Sequence, residues 1–236
     1  MNTHIYYIPQ YKAVSVIANF AETQKKMDLG MSPKVDYIPM TISDFSRYEI
    51  EGIGLVQIEN DCFQAIKEIF SNFKFKSVAF HESNIELADV VIDAQHLVIG
   101  DRSKVNVSEK NFQNLEEITF LALKTYKGKV LTILNSVKKI AMWYEGKKSN
   151  TILSKFPELK ELHCFNGSEI QLDIRENKCI ERLELANFPK LEHILLDHDH
   201  IIKELKIENC KKLDISNLPV TSIWPPRKEN IKAKIS

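Results

Sequence analysis

Along most of the chain, apolar residues return at a fixed interval instead of gathering into long runs. Eight segments carry apolar side chains at relative positions 1, 4 and 6, beginning at Ile53, Phe75, Ala94, Leu115, Val137, Leu159, Ile180 and Ile202. Successive starts lie 22, 19, 21, 22, 22, 21 and 22 residues apart. Position 4 reads Val56, Val78, Leu97, Ile118, Ile140, Leu162, Leu183 and Leu205, and position 6 reads Ile58, Phe80, Ile99, Phe120, Met142, Cys164, Leu185 and Ile207. On extended backbone, positions 4 and 6 point to one side and positions 3, 5 and 7 to the other. One such strand cannot bury its apolar side alone, but copies laid side by side form a parallel sheet with a continuous core behind it. The pattern predicts eight parallel strands, each followed by a connection that crosses behind the core.

The connections read as mixed. Residues 62–70 place Cys62, Phe63, Ile66, Ile69 and Phe70 at helical spacing. Residues 130–134 and 151–156 read as short helical turns, whereas 171–174 and 213–215 read as brief extended pieces. The region 1–50 lacks a clean copy and reads as an N-terminal cap, with Val35, Ile38 and Met40 as one degenerate repeat. Eight repeats of 19–22 residues occupy 51–219. Residues 220–236, with Trp224, Pro225 and Pro226, read as a C-terminal cap, since proline cannot donate to a sheet.

The series Ile202, Leu205, Ile207, Cys210 and Leu213 resembles the leucine-rich-repeat pattern LxxLxLxx(N/C)xxL. Partial copies run through Ile180, Leu183, Leu185 and Leu191, and through Leu159, Leu162, Cys164 and Ile170. The resemblance covers about residues 53–219. It implies an α/β, right-handed solenoid with a parallel β-sheet on the concave face and mixed short helices and extended segments on the convex face. The family's Asn or Cys at position 9 is present only as Cys210. Asn60, Asn166, Asn187 and Asn209 fall at position 8 instead, which marks an irregular, bacterial-type member with a displaced asparagine ladder.

Composition narrows the function classes. Hydrophobic residues make up 44% and charged residues 27% of the 236, an ordinary globular balance. Lysine plus arginine equals aspartate plus glutamate at 32 each, so no overall positive field favours nucleic acid or an anionic membrane. No apolar run approaches the roughly 20 residues needed to span a bilayer. Nor do the first ten residues carry the basic-then-apolar order of a secretory signal. The four cysteines form no CxxC pair, which points away from a zinc site or disulfide framework and towards a reducing cytoplasm.

No GxSxG, phosphate-binding GxxxxGK[ST] or HExxH motif occurs, so neither a catalytic residue nor a cofactor is expected. His193, His198 and His200, with Asp197 and Asp199, have metal-ligating chemistry, but His198 and His200 fall on a turn and no second cluster is visible. No metal site is expected there.

Position 7, which faces away from the core, carries Leu121, Trp143 and Phe165 in three successive copies, 22 residues apart. Tyr144 follows Trp143, and His163 occupies position 5. Exposed aromatic groups of this kind are typical of binding hot spots, so these five residues are the expected partner-binding set. Charged residues at positions 2, 3 and 5 are ordinary solvated decoration of such a sheet. The expected function is non-catalytic protein binding. A short, lysine-rich, single-module chain also resembles immunity proteins of bacterial toxin systems, which implies occlusion of a cognate toxin. The alternative is an adaptor or effector module that binds a host or signalling protein.

Overall fold

A computed structural model describes residues 3–18 and 36–224. The chain is α/β, with a long, mostly parallel sheet and few helices, and no barrel closes among the described residues. It divides into two compact units, Met1–Thr132 and Ile133–Ser236.

In the first unit the sheet contains β1 (His4–Ile8), β2 (Ala13–Ile17), β3 (Ile38–Pro39), β4 (Gly52–Val56), β5 (Phe75–His81), β7 (Ala94–Ile99) and β9 (Glu117–Phe120), in the order β9-β7-β5-β4-β2-β1-β3. Strands β2, β4, β5, β7 and β9 run parallel, while β1 is antiparallel to both β2 and β3. Two rows of side chains cross the parallel strands in register. One row is Val14, Ile53, Val78, Leu97 and Ile118; the other is Val16, Leu55, Phe80, Ile99 and Phe120. All ten are buried. This is the core that positions 4 and 6 build.

The register corrects the first copy. Ile53 and Leu55 pair with Val78 and Phe80, so they hold positions 4 and 6, while Val56 pairs with His81 at position 7. That copy begins at Ile50, 25 residues before Phe75. Apolar residues at 53, 55, 56 and 58 allow either frame, and a strand can bury only one alternating set. Gln57 ends the strand in the left-handed region (φ 56°), so Ile58 is buried beyond the turn and outside the strand.

Strand β2 adds a parallel copy ahead of the series. Ile38, read as part of a degenerate repeat, lies instead in the antiparallel β3 and is exposed; Val35 falls outside the described residues. The helix expected over 62–70 forms as α1 (Asn60–Ile66) and α2 (Glu68–Asn72), parted at Lys67, and it buries all five apolar residues named for it. Residues 130–134 form no helix: Val130 instead makes a parallel bridge with Val107. A small parallel ribbon of β6 (Asn84–Ile85) and β8 (Lys104–Val105) completes the connections.

In the second unit, β10 (Lys139–Trp143), β11 (Glu161–Phe165), β13 (Arg182–Ala186), β15 (Ile202–Glu208) and β16 (Val220–Trp224) are adjacent and parallel. Ile140, Leu162, Leu183, Leu205 and Ile223 form one row, and Met142, Cys164, Leu185 and Ile207 the other. The connections hold α3 (Gly146–Leu153) and a ribbon of β12 (Gln171–Asp173) and β14 (His193–Leu195). Strand β16 lies in the region read as a cap. It escapes the 1-4-6 pattern because its position 6 is Pro225, which with Pro226 lies outside the described residues.

The position-8 asparagines have a conformational reason. Asn166, Asn187 and Asn209 adopt φ of 55°, 62° and 54° immediately after their strands, a left-handed turn that asparagine tolerates better than most residues. Their amides also link sideways: Asn187 Nδ2 donates to Asn166 Oδ1 at 3.2 Å, and Asn209 Nδ2 to Asn187 Oδ1 at 2.8 Å. The three amides thus form a short ladder at position 8. The residue that follows the turn can then tie down a neighbouring strand's carbonyl. The Ser83 hydroxyl lies 3.0 Å from Leu55 O, and Cys210 Sγ lies 3.7 Å from Leu185 O.

Three buried acids make stability sensitive to alkali. Burial pushes the Tyr126 and Tyr144 phenols and the Cys164 thiol well above their ordinary values of 10.0 and 9.0. Tyr126 also donates to Val105 O at 2.8 Å. Because the folded values lie above the unfolded ones, this stability is intact below the unfolded values and is lost as pH rises past them. The urea midpoint should hold to about pH 8.5 and then fall, with Tyr126→Phe less stable at neutral pH but falling less steeply above about pH 10. An equally steep fall in that variant would remove Tyr126 as a cause.

Candidate functional site

The exposed side of β10, β11, β13 and β15 is a grid set by strand register. Row 3 reads Lys139, Glu161, Arg182 and Glu204; row 5 reads Ala141, His163, Glu184 and Lys206; row 7 reads Trp143, Phe165, Ala186 and Glu208. Neighbouring strands lie about 4.8 Å apart, so adjacent members of a row touch when their side chains are large. Trp143 is 49% exposed, and Phe165 beside it is half-buried.

His163 sits behind Phe165, the two rings meeting edge-on with centroids 6.5 Å apart. Its Nδ1 is 3.7 Å from a Glu184 oxygen, and its Nε2 is 4.0 Å from Glu161. Arg182 pairs with Glu161, and Lys206 Nζ lies 2.6 Å from Glu184. The hydrogen bond from Lys206 to Glu184, together with the nearby Glu208 and Glu204, holds the ammonium above its usual range. Solvent screens half-exposed pairs of this kind, so they arrange the face more than they stabilise it.

Of the five residues expected to form the binding set, four lie in the second unit and one in the first. Trp143, His163 and Phe165 share this face. Leu121 belongs to the first unit, where it follows β9, donates its N–H to Ile99 O at 2.9 Å and is 49% exposed. Tyr144 is a correction: it is only 3% exposed. Consecutive residues of a strand point to opposite sides, so an exposed Trp143 sends Tyr144 inward. There its ring packs against Phe188 at 6.0 Å and its hydroxyl donates to Asn150 Oδ1 at 2.7 Å.

Trp224 is the residue the sequence pattern missed. It stands in register with Lys206 and extends row 5 on β16, 59% exposed. The repeat that should have flagged it is broken by the following proline.

The histidine-rich turn does other work. His198 lies between Asp197 (3.1 Å) and Asp199 (2.9 Å), both contacts at the surface. Lys178 and His198 hold the Asp197 carboxyl far below the usual carboxylate range. His200 is buried and its Nε2 donates to Ile180 O at 2.6 Å, so that nitrogen carries the hydrogen. Among the described residues no three His, Cys, Asp or Glu side chains converge as a metal group, and no helix is long and apolar enough to cross a membrane.

Compared with protein-family models, curated proteins and solved structures, the chain matches none. What the face can do follows from its own side chains: exposed rings offer large contact area at low entropic cost, and ion-paired neighbours fix their surroundings.

Proposed function

We propose that the chain is a non-catalytic protein-binding module, an irregular leucine-rich-repeat-like solenoid whose exposed sheet face receives a protein partner. The single observation that carries this reading is Trp143, a large ring left 49% exposed on a regular strand beside Phe165. The recurrence of parallel strands in matched register supports the repeat architecture. Within this reading, the specific assignment is a bacterial immunity protein that occludes a cognate toxin by covering it.

Co-expression with a toxin encoded beside this chain's gene should restore growth and yield a stable complex. Trp143→Ala should weaken that complex by about 30-fold or more, as loss of an aromatic hot spot does. Because Trp143 lies outside the core, its urea midpoint should stay close to that of the wild type. A complex of unchanged affinity would overturn the docking face. Capture dominated by other proteins, with no rescue from the toxin, would move the assignment to an adaptor or effector module.

A further inference from the structure

The proposed docking face is not chemically uniform, and its asymmetry identifies the kind of partner it takes. Four carboxylates stand on it: Glu161, Glu184, Glu204 and Glu208. Arg182 and Lys206 pair with the first two. Glu204 and Glu208 are exposed on β15, two residues to either side of Lys206, and among the described residues neither has a cation within salt-bridge distance.

Aromatic rings stand on both sides of these two carboxylates. On β16, Trp224 pairs with Lys206 and is therefore diagonal to Glu204 and Glu208, within reach of a large ring. Along row 7 the order is Trp143, Phe165, Ala186, Glu208. Only the methyl group of Ala186 stands between the Phe165 ring and the Glu208 carboxylate. These two are two strand spacings apart, or about 10 Å.

We infer that the partner presents an arginine-bearing basic segment to this end of the face; the inference rests on the protein-binding reading above. A guanidinium is flat enough to stack on an aromatic ring, and its fork of N–H donors matches a carboxylate. An ammonium satisfies the carboxylate but gains less from the rings, and an acidic segment meets like charge at Glu204 and Glu208. From Trp143 on β10 to Trp224 on β16 is four strand spacings, about 19 Å, the length of roughly six extended residues. The surface is therefore suited to a segment of polypeptide with several cations separated by apolar residues.

The chain contains two tryptophans, so Trp224→Phe leaves Trp143 as the only indole reporter. Three nonapeptides serve as probes: arginine alternating with alanine and leucine, and the same sequence with lysine or glutamate replacing arginine. The arginine peptide should shift Trp143 emission saturably, bind about fivefold more tightly than the lysine peptide, and weaken as salt rises; the glutamate peptide should not bind. Combining Glu204→Gln with Glu208→Gln should weaken the arginine peptide about tenfold and flatten its salt dependence. Unchanged binding in that double variant, equal binding of the glutamate peptide, or no binding by any peptide would overturn the inference. The toxin complex separates the two readings. If Trp143→Ala disrupts it and the glutamine pair does not, the docking face stands and the basic partner falls. If neither disrupts it, the face itself falls.

Discussion

Gly167→Ala is expected to destabilise the protein by about 3 kcal/mol, a large loss for a single methyl group. A Cβ at this position would sit 2.0 Å from Cε1 and 2.5 Å from Cδ1 of Phe188, inside contact distance of a completely buried ring. Gly167 and Phe188 both hold position 9 of consecutive copies, where Ser83 and Cys210 elsewhere place small groups that bond a strand carbonyl. Here one copy gives up its side chain and the next fills the space with a phenyl ring. That ring packs against Tyr144, 6.0 Å away, and cannot swing clear without disturbing a second buried aromatic. Urea unfolding measures the loss directly. Phe188→Leu leaves a cavity when made alone, but in the Gly167→Ala background it should recover part of the stability. The double variant should therefore be more stable than the sum of the two single losses by about 1 kcal/mol or more. A Gly167→Ala protein within about 0.5 kcal/mol of wild type would show that the ring relocates freely.

How far the sequence reveals this arrangement depends on whether one alternation or two are available. The copies starting at Phe75, Ala94, Leu159, Ile180 and Ile202 are legible because a single apolar set, at positions 4 and 6, can face the core. Near Ile53 two sets compete, and only the pairing with Val78 and Phe80 decides between them. Strand β2 supplies just Val14 and Val16 to the rows, too short a signal to align with later copies. Strand β16 loses its signature to Pro225.

The site follows the same logic. Trp143 and Phe165 are legible as outward residues, yet adding Tyr144 ignores the alternation that exposes its neighbour. Which carboxylates find a cation is not legible at all. Glu184 and Glu208 look equivalent in sequence, but among the described residues only Glu184 has a cation in salt-bridge contact, Lys206 at 2.6 Å. Side-chain pairing across strands depends on register, which a linear pattern does not contain.

Asn111→Leu should cost the first unit about 3–4 kcal/mol, although leucine is close to asparagine in size. Asn111 is only 7% exposed, and its amide joins two successive connections. Nδ2 donates to Ala88 O at 3.1 Å and to Val90 O at 2.9 Å, while Oδ1 accepts from the Ser108 hydroxyl at 2.6 Å. Leucine removes all three bonds and leaves a buried hydroxyl unmatched. It also releases Ala88, which is held at φ 45°, a left-handed conformation costing an alanine roughly 1–2 kcal/mol. Once the carbonyl tether is gone, that strain favours opening the 88–92 segment. Exchange of the Ile92 N–H, which donates to Asn111 O at 2.8 Å, should therefore accelerate more than exchange in β5 or β7. Unchanged exchange at Ile92 would sink the tether. Asn177 makes the corresponding bonds in the second unit, to Leu153 O at 3.0 Å and Phe156 O at 3.2 Å. Both of those carbonyls also accept a backbone N–H, from Phe156 and Leu159 respectively. Asn177→Leu should thus cost less, about 2 kcal/mol, because each acceptor keeps one partner.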